Sequence, residues 1–458
     1  MAVKYLAELD PGFAPLSIEL RDFAAQVEKA GGEDLLIAIE RDQGFVARYD
    51  MRVLPDGVDD EKNFHLAERV VKSLLWMRGG YKITLCGPKA LCEKLKAAYA
   101  VNGLREFDRA FMSGIYESPF EVIIVDCPCK MPAAREGASA IGRHLDGCRI
   151  GFDAGGSDRK VSAVIDGETV YSEEVLWFPK ENSNPQYQYD GILEAMKTAA
   201  SHMPRVDAIG VSSAGVYINN KIRAASLFIK VSPEDFDKYV KNMYIDVARE
   251  IGPDIPLEVA NDGDVTALAG AMDLNENAVM GIAMGTSEAG GYVDKNGNIT
   301  GWLNELAFVP VDANPNAMVD EWSGDYGCGV KYFSQDAVIK LAPAAGIELD
   351  ATQPLAHRLK AVQKLMEDGD PRARKIYETI GVYFGYAIAY YAMFYEIAHV
   401  LIMGRVTSGE GGAILLERAK EVLAGEFPEL HIELHIPDES SRRVGQSIAA
   451  ASLPEIRK

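Results

Sequence analysis

From about Arg149 onward one step recurs. A short apolar strand ends in a small or acidic residue, and a glycine loop or helix start follows. It can be read in CRIGFDAGG, VDAIGVSSAG, PLEVANDG, AVMGIAMGTSEAGG and HVLIMGRVTSGEGG. Repeated strand–loop–helix steps predict α/β architecture with ligands at the carboxyl ends of the strands.

The loops carry the candidate chemistry. Gly155 and Gly156, followed by Ser157, let a backbone approach a phosphate without a Cβ in the way. Asp153, just before them at a strand end, is placed to hold a hydrated Mg²⁺ beside those phosphates. A tight hairpin with a surface Asp is the plainer alternative. Asn261-Asp262 stands between an apolar strand and a helix-like run, where a carboxylate can take a proton from an attacking hydroxyl. The competing role there is a helix N-cap. Gly285-Thr286-Ser287, then Gly290-Gly291, forms a second small-residue loop suited to β- and γ-phosphates, or a plain turn. The run from Gly404 through Gly411 and Gly412 precedes a helix, so a helix N-terminus faces whatever binds there.

Charge narrows the partners. A formal net charge of -21 makes a duplex-binding surface a poor expectation, because that affinity comes from neutralising phosphates. The six cysteines are irregularly spaced and predict reduced thiols in a cytoplasmic protein; Cys127-Pro-Cys129 is a weak candidate for a redox or metal pair. The apolar stretch from Ile380 to Met403 is long enough to span a bilayer. Glu396 and His399 interrupt it, and its many tyrosines suit a buried helix feeding a strand.

Residues 1–147 are expected to form an α/β accessory domain. DLLIAIE and FVARYDMRV read as a hairpin about Asp42-Gln43-Gly44, and Asn63 to Met77 has helical periodicity. YKITLCG, KALCEKLKAAYA and EVIIVDCP then read as strand, helix and a closing buried strand.

Taken in order, the loops resemble the phosphate-1, phosphate-2 and adenosine motifs of the actin, hexokinase and chaperone superfamily. The finer detail resembles the ROK family, which includes hexose kinases and sugar-responsive repressors. Gly324-Asp325-Tyr326-Gly327-Cys328 is similar to that family's zinc loop, LKAVQKLMEDGDPRARKIYETIGVYFG to its paired helices, and RRVGQSIAAAS to its closing helix. The resemblance covers roughly Arg149 to Leu453. It implies a two-lobed fold related to ribonuclease H, with lobes over 148–272 and 273–458 and a closing helix at about 440–458 returning to the first lobe. It also implies ATP and Mg²⁺ as cofactors, Asp153 by the metal, and nucleotide contacts at Gly155, Gly156, Ser157, Gly285, Thr286, Gly404 and Gly411. Asp262 would be the catalytic base, and Asn261 and Glu305 would hold the hydroxyls of a sugar-like acceptor. The loop VSSAGVYINNKIRAASLF resembles the family's sugar-covering loop.

The departures are specific. Phe308 and Val330 replace a histidine and a glutamate that contact the sugar in the family, and Ala260 replaces an acidic residue. Glu321 and Ser323 stand where two zinc cysteines would be, leaving Cys328 alone. No structural zinc site is expected in the protein; packing of Trp322, Tyr326 and Tyr332 should hold this loop instead. The expected activity is phosphorylation of a sugar or sugar-like molecule, with a catalytically silent ligand sensor as the rival. Neither nucleic acid nor membrane is expected as a partner, and a homodimer is admitted.

Overall fold

The computed structural model describes residues 3–136, 141–436 and 439–456, without the side chains of 439–444. The ends of the expected accessory domain and closing helix, at 1–2, 137–140 and 457–458, lie outside the described residues.

In the N-terminal unit, α1 (Leu16–Ala30) buries Leu16, Leu20, Phe23 and Val27, one face at helical spacing, and ends on left-handed Gly31 (φ 73°). The hairpin β1 (Glu33–Glu40) and β2 (Val46–Val53) turns at Asp42–Gly44. Then come α2 (Asp60–Arg78), whose first turn is capped by Asp59, β3 (Lys82–Cys86), α3 (Lys89–Ala98), α4 (Glu106–Tyr116) and β4 (Glu121–Ile124). The sheet order is β2-β1-β3-β4. This makes β4 an outer strand with alternating exposure, not the buried closing strand expected from its apolar run. Cys127 and Cys129 are joined in a disulfide, which corrects the expectation of reduced thiols for this pair. Cys86, Cys92, Cys148 and Cys328 are free and buried.

The first lobe contains β5 (Cys148–Ala154), β6 (Asp158–Ile165), β7 (Glu168–Leu176), α5 (Pro185–Ser201) and β8 (Ala208–Ser213). It continues through the hairpin β9 (Val216–Ile218) and β10 (Lys221–Ala224), then α6 (Pro233–Asp235), α7 (Met243–Ile251), β11 (Leu257–Asn261) and α8 (Asp262–Leu274). Its sheet runs β11-β8-β5-β6-β7, with β5, β8 and β11 parallel. The second lobe repeats the plan with β12 (Val279–Met284), β13 (Glu288–Val293), α9 (Gln335–Leu341), α10 (Leu355–Glu367) and α11 (Pro371–Tyr391). It closes with β14 (His399–Met403), α12 (Glu410–Glu426) and β15 (Glu433–His435), in the sheet order β13-β12-β14-β15.

The last helix, α13 (Glu439–Ala451), lies on the first lobe's sheet. Glycines make that approach possible: a Cβ at Gly210 would stand 1.7 Å from the Ala450 carbonyl oxygen, and one at Gly151 would stand 2.1 Å from that of Ser447. The long apolar stretch is the buried half of α11 followed by β14. Among the described residues, no helix is long and apolar enough to cross a membrane.

The first lobe has its own core around Ile150, Phe152, Ile192, Val211 and Tyr244. The N-terminal unit and the second lobe share one: Phe23, Leu75 and Trp76 belong to the same apolar cluster as Tyr332, Phe333, Tyr383 and Phe384. The N-terminal unit also reaches the first lobe. Gln43 Nε2 donates to Asn219 Oδ1 (2.7 Å), and Glu117 pairs with Lys241 (2.8 Å) and Arg223.

Candidate active site

The parallel register of the first lobe sets Asp153 beside Ser212, and Asn261 beside Ser213, at the carboxyl edge of its sheet. Ser212 Oγ donates to Asp153 Oδ1 (3.0 Å). Burial pushes Asp153 up to about 6; Lys160 opposes the shift and the charge of Asp262 adds to it. Asp153 and Asp262 therefore share one field across the edge of the sheet.

Asn261, not Asp262, caps α8: its Oδ1 accepts from Gly263 N (2.7 Å), while its Nδ2 donates to Gly215 O (2.7 Å). The amide thus ties the candidate sugar-covering loop to the helix start, and only its remaining donor and lone pair are left for an acceptor. Asp262 accepts from Gly263 N (3.0 Å). Among the described residues, no side chain is hydrogen-bonded or ion-paired to its carboxylate; Thr266 Oγ1 donates to its backbone carbonyl (2.6 Å). Burial raises its pKa, opposed by backbone N–H groups and by Lys180.

Glu305 reaches the same region from the second lobe, and the N-terminal unit holds it there. Asn304 N and Glu305 N donate to the carbonyls of Met77 and Trp76 (3.1 Å each), orphan acceptors in the last turn of α2. Glu305 is pushed up to about 7 by burial, then by Asp262 and Asp264.

Three groups here were not anticipated. Asp264, two residues beyond Asp262, accepts from Tyr292 N (3.0 Å) and Asn304 Nδ2 (2.9 Å), and burial pushes it up to about 7. Glu288 opens β13, is 3% exposed, and among the described residues neither of its oxygens has a hydrogen-bond partner within bonding distance. Burial, then Glu305, holds it well above the usual carboxylate range. A glutamate inside a small-residue strand was a visible signal for this site. Lys180 is the third, its Nζ 3.1 Å from where a Gly156 Cβ would sit; nothing in its local sequence marks it.

The glycines divide by what surrounds them. A Cβ at Gly285 would meet nothing closer than 3.7 Å, and one at Gly156 only the flexible Lys180 side chain, so both are open to a ligand. At Gly155 the obstacle is the Asp158 carbonyl (2.7 Å), a requirement of the hairpin itself. Gly404 has φ 103° and abuts the Met284 carbonyl, which sets the two second-lobe loops side by side. Gly411 is buried against the Tyr377 ring (2.6 Å), so helix packing already accounts for it. Ser157 and Thr286 are exposed at their loop tips. Gly156→Val should weaken nucleotide binding at least about tenfold, since a branched side chain fills the approach. Calorimetric titration with an ATP analogue checks this, and unchanged affinity would remove the loop from the site.

The loop around Cys328 is held differently from the expectation. Trp322 is 73% exposed. Tyr332 is buried, and Tyr326 stacks on His65 beneath the Arg69 guanidinium. The main tie is ionic. Asp325, 5% exposed, meets Arg69 (3.0 Å), Lys72 (2.9 Å) and Arg105 (2.8 Å), all from the N-terminal unit. Glu68 and Asp108 complete a buried set of three cations and three carboxylates. Phe308 turns onto the same unit, its ring 4.4 Å from Trp76 and 5.6 Å from Phe107. Aromatic packing between the two parts of the chain thus explains this departure from the family's histidine.

Two α/β lobes that face each other across strand ends, with a closing helix returning from the second to the first, define a protein of the actin and hexokinase class. More narrowly, the chain belongs to the ROK family, whose model matches residues 149–450. Similar solved structures include a ROK hexokinase from Thermus thermophilus (18% identity, TM-score 0.51, covering 66% of this chain and 97% of that one). A ROK-family transcriptional regulator homologous to the E. coli MLC protein has 17% identity and a TM-score of 0.53, covering 68% and 79%. A ROK-family glucokinase from Streptomyces griseus, in complex with glucose and AMPPNP, has 20% identity and a TM-score of 0.48, covering 66% and 98%. No curated protein matches the chain. At these identities the likeness to the Thermus hexokinase and the regulator speaks for the fold alone.

Proposed function

We propose that the protein transfers the γ-phosphoryl group of ATP to a hydroxyl of a sugar or sugar-like acceptor, with Asp262 as general base. The carrying observation is the state of Asp262: a half-buried carboxylate at the carboxyl edge of the sheet, relieved of the capping role by Asn261 and, among the described residues, paired with no side chain. Such a group is available to accept a proton, and its raised pKa moves it toward the range where a base works best. The acceptor's O–H proton passes to Asp262 as the new O–P bond forms and the bond from the γ-phosphorus to its bridging oxygen breaks. Glu305 and Glu288 supply acceptor oxygens for the hydroxyl groups, while Gly156, Gly285 and Lys180 face the phosphates. The buried, partly satisfied carboxylate of Asp153 suits a hydrated Mg²⁺, which when bound offsets phosphate charge.

A second reading, a ligand-responsive regulator without turnover, is favoured by one observation. The N-terminal unit touches both lobes, through the core it shares with the second and through Gln43 and Glu117 on the first, which suits a body that reports closure. Acceptor-stimulated ADP release over a panel of sugars and polyols separates the two. We expect at least one acceptor to raise ADP release more than about tenfold above the water background. Glucose should be a poor one. The side chains of Phe308 and Val330 can neither donate nor accept a hydrogen bond, and each hydroxyl left unpaired costs about 1–3 kcal/mol. No stimulation by any acceptor favours the regulator.

A further inference from the structure

We propose that the second lobe carries a transition-metal site, for Zn²⁺, formed by His399, His435 and Glu433 at the end of its sheet away from the cleft. β14 and β15 are parallel, with His399 opposite Glu433 and Leu401 opposite His435. Period-two alternation then puts all three side chains on one face. His399 Nδ1 lies 3.2 Å from His435 Nε2. The Glu433 carboxylate stands 3.9 Å from the first nitrogen and 3.8 Å from the second.

That triangle has the dimensions of a metal face. Tetrahedral Zn²⁺ with bonds of roughly 2.0–2.1 Å sets neighbouring ligand atoms about 3.3 Å apart. The two nitrogens already meet this spacing. The Glu433 side chain, 73% exposed, is free to swing in by the remaining half ångström or so, and water has access to a fourth position. The outer shell is present as well: His399 Nε2 faces the Glu276 carboxylate at 3.8 Å, so the ring nitrogen turned away from the ion has an anionic partner. Ligating histidines characteristically donate their second N–H to such a group. Imidazole with one carboxylate suits Zn²⁺ better than Mg²⁺ or Ca²⁺, which prefer all-oxygen shells.

The position says what the ion would do. His399 begins β14, and the cleft lies beyond Met403 at its other end, roughly 13 Å away at strand rise. No acceptor or phosphate chemistry falls within its reach. β15 has three residues and, among the described residues, pairs with β14 alone; α13, next in the chain, lies on the first lobe. An ion at this place fastens the short outer strand from which the second lobe hands the chain to the first.

The test uses the full chain without a histidine tag, stripped with chelator at pH 7.5. Zn²⁺ is titrated by calorimetry, with equilibrium dialysis and elemental analysis for stoichiometry. One equivalent should bind and raise the melting temperature by several degrees. His399→Ala and His435→Ala should each weaken binding at least about a hundredfold, and Glu433→Gln about tenfold. Cys328→Ser should leave the stoichiometry at one, which separates this site from the loop where the family carries zinc. Co²⁺ should give visible d–d bands that disappear in His435→Ala. No binding at micromolar Zn²⁺ would overturn the proposal, and so would stoichiometry unaffected by His435→Ala. In that case the two imidazoles share an N–H···N hydrogen bond. Should His399→Ala fail to fold, His435→Gln and Glu433→Gln, both at an outer strand, give the same decision.

Discussion

Asp262→Asn should leave nucleotide and acceptor binding nearly unchanged and lower turnover at least about a hundredfold, since general-base catalysis contributes roughly 10²–10⁴-fold. The substitution keeps shape and polarity, and the helix keeps its cap because that duty belongs to Asn261. The pH profile adds a sign. Burial raises the Asp262 pKa, so the proton-accepting form is lost as pH falls through a value above the ordinary Asp range. The acidic limb of kcat/KM in the unsubstituted protein should therefore lie above about 4, the ordinary value, and vanish in the residual activity of the variant. Stimulation that survives the substitution would place the base elsewhere.

Asp325→Ala should destabilise the protein by about 3–5 kcal/mol, the usual cost of leaving buried charges without a partner. Asp325 meets Arg69, Lys72 and Arg105, and each is at most 3% exposed, so water cannot replace the missing carboxylate. Urea denaturation, followed by fluorescence of the buried Trp76, reads the loss. Glu367→Ala is the matched control: its pair with Lys364 lies on an open helix surface, where such contacts contribute about 0–1 kcal/mol. A loss below about 1 kcal/mol in Asp325→Ala would mean that aromatic packing, rather than charge, joins the two parts.

Short-range chemistry accounts for what could be read in advance. A strand end followed by Gly155-Gly156 or Asn261-Asp262 is legible because neighbours in sequence make the feature, and α2 showed in the helical periodicity of Asn63 to Met77. The ionic set could not be read. Glu68, Arg69 and Lys72 look like the wet face of a helix until α4 and a loop some 250 residues away close over them. Phe308 shows the same limit: it reads as a lost polar contact, and only Trp76 and Phe107 reveal the packing that took its place. Trp322 was expected to pack and faces solvent, because the charges of Asp325 took over the job of holding that loop.

The shared core sets a timetable for synthesis. The N-terminal unit leaves the ribosome before either lobe, with Leu75 and Trp76 built to pack against residues such as Tyr332 and Tyr383 that do not yet exist. The first lobe comes between, with a separate core around Phe152 and Val211, while the other face of its sheet waits for α13. At about 5–20 residues per second, the earlier unit must wait on the order of ten seconds or more for its missing half. Throughout that interval its apolar face, its three buried cations and the carbonyls reserved for Asn304 and Glu305 stand open to water and to other nascent chains. A chaperone that shields this face would act on the first third of the chain, well before either end of the cleft has been translated.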